Sequence, residues 1–366
     1  MRLGIRSKLS NMLMYLGSPR LLKFVSLRPE WAHIRVTESC NSRCVTCNAW
    51  KNELADELTT QEIKNALKQL KDIGTTNLIL IGGEPLLRND IGNLIHEAAL
   101  LKFNTIIVVT NGLLLEKKAA ELLENGVTNI TVSIDGVESV NDMIRGVPGY
   151  FEKSIRGLKT VQRLKKERGL NVSVTLLTTI LLKNNVDDIP KLLEISRNMD
   201  VYWSFNLLDT NVDIFNGIPF SSLLAENEEQ IDWTIDYLRK TREENPWLIS
   251  PDVSCDHMLE YARNYLKGKN RYDFHCVHGY KMIYLGSHGE VFPGCWALES
   301  VGNLRERNIR DILRSKEYRE RVERMYRMDC PGCTNRFQPN IINKHLLSHR
   351  FHCEKDEKKK RTSSVD

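Results

Sequence analysis

Three cysteines, Cys40, Cys44 and Cys47, fall within eight residues at the spacing C-x3-C-x2-C. Thiolates are the usual ligands of an iron–sulfur cubane, which carries four irons. Three thiols on one short loop can hold three of them and leave the fourth open to a small molecule, as a catalytic zinc keeps an open position. Two other readings stand beside this one. A structural zinc would need a fourth ligand, His33 being the nearest histidine, and the three thiols could simply be buried. Zinc sites more often use paired C-x2-C units.

A second set lies far down the chain. Cys276, Cys295, Cys330 and Cys333 include one C-x2-C pair. Four thiols can complete a zinc site or saturate a second [4Fe–4S] cluster. Nine cysteines with such tight local spacing read as metal ligands in a reducing, cytoplasmic setting and not as a disulfide framework. Cys255 and Cys353 are left over. Cys353 follows His349 and His352, which reads as incidental, so a third cluster is not expected.

These groups need a scaffold. Residues 33–37 read as a strand feeding the first cysteine loop. Thr59 to Glu62 forms a capping box, and Ile63, Ala66, Leu67, Leu70 and Ile73 follow at helical spacing. Apolar runs at 77–81, 105–109, 129–133, 171–177 and 201–205 read as buried parallel strands. Helical patterns near 91–101, 116–125, 151–168 and 187–198 alternate with them. Six such alternations imply a parallel sheet with right-handed crossovers, too few strands for a closed eight-stranded barrel. An α/β fold with a partial (β/α)6 barrel fits, and its ligands should bind at the carboxyl ends of the strands. Polar and glycine-bearing segments do fall there: Gly82-Gly83-Glu84-Pro85, Thr110-Asn111-Gly112, Ser133-Ile134-Asp135-Gly136 and Asn141 to Gly146. Two glycines let backbone approach a ligand closely, and a carboxylate can accept hydrogen bonds from an ammonium group.

The cysteine spacing after a first strand, with these four segments in order, resembles the radical S-adenosylmethionine (SAM) superfamily. The resemblance implies that the open iron chelates SAM and that reductive cleavage yields a 5'-deoxyadenosyl radical, which abstracts a substrate hydrogen. It implies that Gly82, Gly83, Glu84 and Pro85 bind the SAM amino group. Asn111 belongs to the usual turn after strand three, Ser133 and Asp135 contact the ribose, and Arg145 pairs with the SAM carboxylate. One departure concerns the adenine contact. The residue before the third cysteine is usually aromatic, and here it is Thr46, with Trp50 as the substitute at hand.

Around Cys276 and Cys295, residues 282–285 and 290–292 read as a β-hairpin across a glycine-bearing turn, and a helix follows near 309–326. This layout resembles the twitch domain, the shortened form of the SPASM domain, and is similar to that of a cyclitol dehydrogenase of the superfamily. The implied cofactors are SAM and two [4Fe–4S] clusters, one binding SAM and one auxiliary.

The expected organisation runs as follows. Residues 1–30 are a basic amphipathic segment, expected to pack on the protein, with membrane-surface contact as the less favoured reading. Residues 31–208 are the core barrel and 209–275 linker and lid helices, with Asn206, Asp209 and Asn211 placed to face substrate or solvent. Residues 276–340 are the auxiliary-cluster domain, and 341–366 a charged tail expected to be disordered. The 366 residues carry 41% hydrophobic and 27% charged side chains and a net charge of +5, ordinary for a soluble protein. Nucleic acid is not an expected partner, since an aromatic-rich basic patch is lacking.

The expectation is a radical SAM oxidoreductase with a reductase, flavodoxin or ferredoxin as electron donor. Only 39 residues precede Cys40, too few for a leader-binding or cobalamin domain. That favours a small polar substrate (a sugar, cyclitol or nucleotide-linked sugar), oxidised with the auxiliary cluster as electron acceptor. A carrier-linked substrate, a peptide maturase, an epimerase or a lyase is the alternative, and a non-catalytic zinc or iron–sulfur protein is the alternative from another class.

Overall fold

The computed structural model describes residues 27–52, 54–208, 220–250, 256–267, 274–330 and 341–343. The segment before residue 27, Asp209, Asn211, Cys255, Cys333 and Cys353 lie outside them.

Six strands alternate with helices as the apolar runs imply. They are β1 (Trp31–Arg35), β2 (Asn77–Ile81), β3 (Thr105–Thr110), β4 (Asn129–Ser133), β5 (Ser173–Thr179) and β6 (Tyr202–Asn206). The helices between them are α1 (Thr60–Asp72), α2 (Ile91–Leu100), α3 (Leu115–Glu124), α4 (Glu138–Arg145), α5 (Tyr150–Arg168) and α6 (Ile189–Asn198). Helix α1 begins at the capping box read from the sequence. The Thr59 side chain accepts from the Glu62 N–H, and the Glu62 carboxylate accepts from the Thr59 N–H at 2.8 Å.

The strands are parallel and paired in sequence order. Along β1 to β5 every second residue is fully buried and the others are half-buried. The buried set (Ile34, Leu80, Val108, Val132, Leu176) packs against helix residues such as Ile63, Leu67, Leu94, Leu122 and Leu158 in one core. Helices therefore cover one face only, and the opposite, concave face carries the half-buried residues.

The region after β6 supplies α7 (Glu228–Glu244) and α8 (Asp256–Leu266). Residues 248–250 run along the outer edge of β6: the Trp203 N–H donates to the Leu248 carbonyl at 2.7 Å, and the Ser250 N–H to the Trp203 carbonyl at 2.7 Å. That edge is thereby closed.

At the other edge the structure departs from a free-standing hairpin domain. After β7 (Phe274–Cys276) and α9 (His278–Lys281), strand β8 (Met282–Leu285) pairs in parallel with β1, Tyr284 lying opposite His33. Strand β9 (Val291–Phe292) turns back antiparallel on β8, so eight strands form one sheet in the order β6-β5-β4-β3-β2-β1-β8-β9. Burying the β1 edge removes a row of unpaired backbone groups. The single helix expected near 309–326 is two, α10 (Ile309–Arg314) and α11 (Lys316–Tyr326). Ser315 sits between them in an extended conformation, and its side chain caps α11 through the Tyr318 N–H. Strand β10 (Ile341–Asn343) pairs with β7. Among the described residues no helix is long and apolar enough to cross a membrane.

Candidate active site

The first cysteine loop leaves the carboxyl end of β1 and is gripped by its neighbours. The Gly83 N–H donates to the Thr37 carbonyl at 2.8 Å and the Glu84 N–H to the Ser39 carbonyl at 2.7 Å. A Cβ at Gly82 would overlap the Thr37 carbonyl oxygen, and one at Gly83 that of Ser39. Both positions therefore require glycine for the β1 and β2 loops to touch. On the other side, the Arg43 and Val45 N–H groups donate to the Arg145 and Ile144 carbonyls at 3.1 and 2.9 Å. Gly146 closes α4 in the left-handed region, and a Cβ there would overlap the Arg43 carbonyl oxygen. From β3, the Asn111 amide donates to Asn41 Oδ1 at 2.6 Å and to Ser42 Oγ at 3.0 Å. The carboxyl ends of β1, β2, β3 and α4 thus meet at the loop holding Cys40, Cys44 and Cys47.

The three thiols lie near enough to act on one another electrostatically. Burial pushes each above its ordinary value, Cys47 to about 11. His33, the histidine a zinc site would have called on, sits within β1 stacked on Tyr284 at 4.4 Å. The loop thus presents three thiols and no fourth ligand from that residue, the donor set of a cubane with one open iron. Trp50 donates its indole N–H to the Cys47 carbonyl at 3.1 Å, and its ring meets the cations of Arg43 at 5.0 Å and Lys51 at 4.9 Å.

Glu84 is fully buried. Its carboxylate accepts from Thr110 Oγ1 at 2.6 Å, the Asn111 N–H at 2.6 Å and the Leu86 N–H at 3.0 Å. A carboxylate has about four acceptor positions, so neutral donors take three and one remains for a further donor. Burial outweighs the three hydrogen bonds and raises its pKa to about 7. A cation beside it would reverse that shift. Pro85 follows at the start of a short 3-10 turn and is buried.

Asp135 and Arg145 form an ion pair at 2.8 Å. Asp135 also accepts from the Thr179 N–H at 2.7 Å, and its own N–H donates to Asn141 Oδ1 at 2.8 Å. The Arg145 guanidinium reaches the Cys44 thiol and lies over the Tyr150 ring at 5.8 Å. Tyr150 donates to the Ser133 carbonyl at 3.2 Å. The site residues read from strands two to four and from α4 thus fall around the cysteine loop. Sequence reasoning missed Tyr150 and Asn185, whose amide donates to the Asp135 and Thr179 carbonyls at 2.7 Å each. Neither belongs to a spaced motif, because each acts through backbone carbonyls distant in sequence.

In the second set, Cys276 and Cys295 are buried together with Leu298 and Met325, and Cys330 packs against them. Three of the four expected ligands thus share one small cluster, reached from β7, the end of the β8–β9 hairpin and the segment after α11. Cys333 lies outside the described residues.

Residues 34–195 match the family described as the radical SAM superfamily, and residues 276–335 match the iron–sulfur cluster-binding domain termed SPASM. The chain is a radical SAM enzyme with a C-terminal SPASM-type domain, and SAM and [4Fe–4S] clusters are its cofactors. It is 28% identical over 304 residues to the AdoMet-dependent heme synthase of Methanosarcina barkeri, covering 77% of this chain and 81% of that protein. It is 27% identical over 305 residues to the Fe-coproporphyrin III synthase of the same organism, covering 76% and 71%. In fold it is similar to Streptococcus suis SuiB bound to S-adenosylmethionine, with a TM-score of 0.64 at 16% identity over 81% of this chain and 68% of that one.

Proposed function

We propose that the protein oxidises a carboxylate-bearing substrate of the iron-tetrapyrrole kind, bound on the concave face of the sheet between its two cysteine sets. One observation carries the reading: β8 pairs with β1, so the strand leading to Cys40, Cys44 and Cys47 and the hairpin leading to Cys295 are neighbours in one sheet. Held at these two cysteine sets, SAM and the clusters would supply hydrogen-atom abstraction from the substrate at the first set and an acceptor at the second for the one electron then left on the substrate.

The chain's own residues do the rest. Cys40, Cys44 and Cys47 hold the SAM-binding cluster, and Cys276, Cys295, Cys330 and Cys333 saturate the auxiliary one, which suits electron transfer better than substrate ligation. Glu84 offers its remaining acceptor position to the SAM ammonium. Arg145, oriented by Asp135, faces the SAM carboxylate, for which its fork of donors is suited. Ser133 and Asp135 border the ribose. Gly82, Gly83, Pro85 and Asn111 keep the loop in place.

The substrate differs from the sugar or cyclitol expected on layout. Relatives aligned over three quarters of the chain are named for heme and iron-coproporphyrin III, which supports a tetrapyrrole. The test is anaerobically reconstituted protein with SAM and dithionite, measuring 5'-deoxyadenosine with and without iron-coproporphyrin III and a cyclitol panel. Release should rise with the porphyrin alone. Release that ignores the porphyrin, or rises only with a cyclitol, contradicts the proposed substrate.

A further inference from the structure

The concave face carries a cation and a group of rings for which the SAM site has no use. Arg35 ends β1, and its guanidinium lies over the Trp296 ring, 4.8 Å from the centroid. Trp296 packs against Tyr284 at 4.9 Å and Phe292 at 5.0 Å, and Tyr284 stacks on His33 at 4.4 Å. The sheet builds this wall, for Tyr284 stands opposite His33 across one ladder and opposite Phe292 across the next. The wall also has a position. Trp296 directly follows Cys295, and Arg35 lies near enough to Cys47 for its charge to act on that thiol. The contact between Arg35 and Trp296 therefore spans from one cysteine set to the other.

Arg35 is poorly matched by the protein itself. Its Nε is buried and without a hydrogen-bond partner among the described residues. Its Nη1 meets the two Glu38 oxygens only at 3.4 Å, while Glu38 is held more closely by Ser287 Oγ at 2.5 Å and the Asn52 amide at 2.7 Å. Burial, then His278, hold His33 down to about 3, so its imidazole is neutral. Anion recognition in the wall thus falls to Arg35. With 15% of its side chain exposed and its Nε unpaired among the described residues, Arg35 favours a planar carboxylate it can grip through two hydrogen bonds. Rings beside it favour a flat conjugated body.

We infer that Arg35 and Trp296 form the anchoring subsite for the substrate, taking a carboxylate attached to a flat conjugated body, with the buried Tyr284 ring backing Trp296. The inference rests on the reading of the concave face as the substrate face. It is tested apart from the identity of the substrate with a fragment probe. Full-length, anaerobically reconstituted wild type, Arg35→Gln, Arg35→Lys and Trp296→Phe are first matched for iron content and melting temperature. Binding of 2-naphthoate and of uncharged 2-naphthamide is then measured by saturation-transfer NMR, and binding of iron-coproporphyrin III by its absorbance change. Wild type should bind naphthoate and not the amide. Arg35→Gln should lose roughly tenfold or more in naphthoate affinity, Arg35→Lys should recover part of it, and Trp296→Phe should weaken naphthoate and the porphyrin while keeping the preference for the acid over the amide. Naphthoate that binds wild type and Arg35→Gln alike, or does not bind at all, overturns the subsite. Should Arg35→Gln fail to load iron, Trp296→Phe and the acid-over-amide preference of wild type decide the matter. Porphyrin that fails to bind where naphthoate succeeds overturns the tetrapyrrole and leaves the subsite standing.

Discussion

Arg145 and Asp135 join the end of α4 to the end of β4 through an ion pair at 2.8 Å, with the carboxylate fully buried and 13% of the arginine side chain exposed. Since Arg145 also reaches Cys44, this pair ties the β4–α4 unit to the cluster loop. Removing one partner of a buried pair leaves an uncompensated charge, at a typical cost of about 3–5 kcal/mol. Asp135→Asn and Arg145→Gln should each destabilise the protein by that order in urea unfolding. The double variant should lose less than the sum, showing a coupling energy. Single losses below about 1 kcal/mol would mean that the pair is not structural.

Glu84 makes stability depend on pH. Its folded value of about 7 lies above the ordinary 4.5, so the folded SAM-free protein holds a proton there that the unfolded chain has released. The native state binds more protons between those values, and stability from this group falls as pH rises through that window. Glu84→Gln should flatten that slope, since it removes the titrating group. SAM binding should do the reverse. Pairing with an ammonium favours the ionised carboxylate, so wild-type affinity should drop as pH falls below 7, with proton release seen by calorimetry in buffers of differing ionisation enthalpy. Glu84→Gln should weaken SAM binding by roughly tenfold or more, the cost of a charge-assisted hydrogen bond. An unchanged affinity would displace the proposed ammonium contact.

Gly146 and Asn111 hold the cysteine loop from opposite sides. Gly146→Ala puts a side chain into the left-handed region and into the Arg43 carbonyl. Asn111→Ala removes the amide shared by Asn41 and Ser42. Reconstituted wild type should carry about eight irons per chain, and either variant should fall toward about four, keeping the auxiliary cluster. Wild-type iron in Gly146→Ala would mean that the loop adjusts more easily than its packing implies.

Much of this was legible in the chain, and the reasons differ by element. Strands such as Asn77–Ile81 show as unbroken apolar runs, because the helix face buries half of each strand and the sheet hides the rest. The site segments were found because a parallel sheet places ligands at its carboxyl ends, which turned weak motifs into an ordered set. Helix α4 is short and overlaps the Asn141 to Gly146 motif, so its helical character was masked by its chemistry. The break at Ser315 depends on one side-chain cap. The pairing of β8 with β1 joins residues some 250 positions apart, and no local pattern carries such a contact. Arg35 and Trp296 escaped notice for the same reason: each belongs to an ordinary strand or loop until that pairing brings them together.

The account turns on the auxiliary cysteines accepting the electron left on the substrate. The direct measurement is a single turnover with iron-coproporphyrin III in wild type and Cys295→Ala, after both have been shown to be folded and to retain the core cluster, since ligation in a small domain also stabilises it. Freeze-quenched samples are read by electron paramagnetic resonance for a reduced auxiliary cluster and by mass spectrometry for 5'-deoxyadenosine and oxidised product. The account predicts 5'-deoxyadenosine from both proteins, with the reduced-cluster signal and the oxidised product from wild type alone. Oxidised product from Cys295→Ala at the wild-type yield would contradict it.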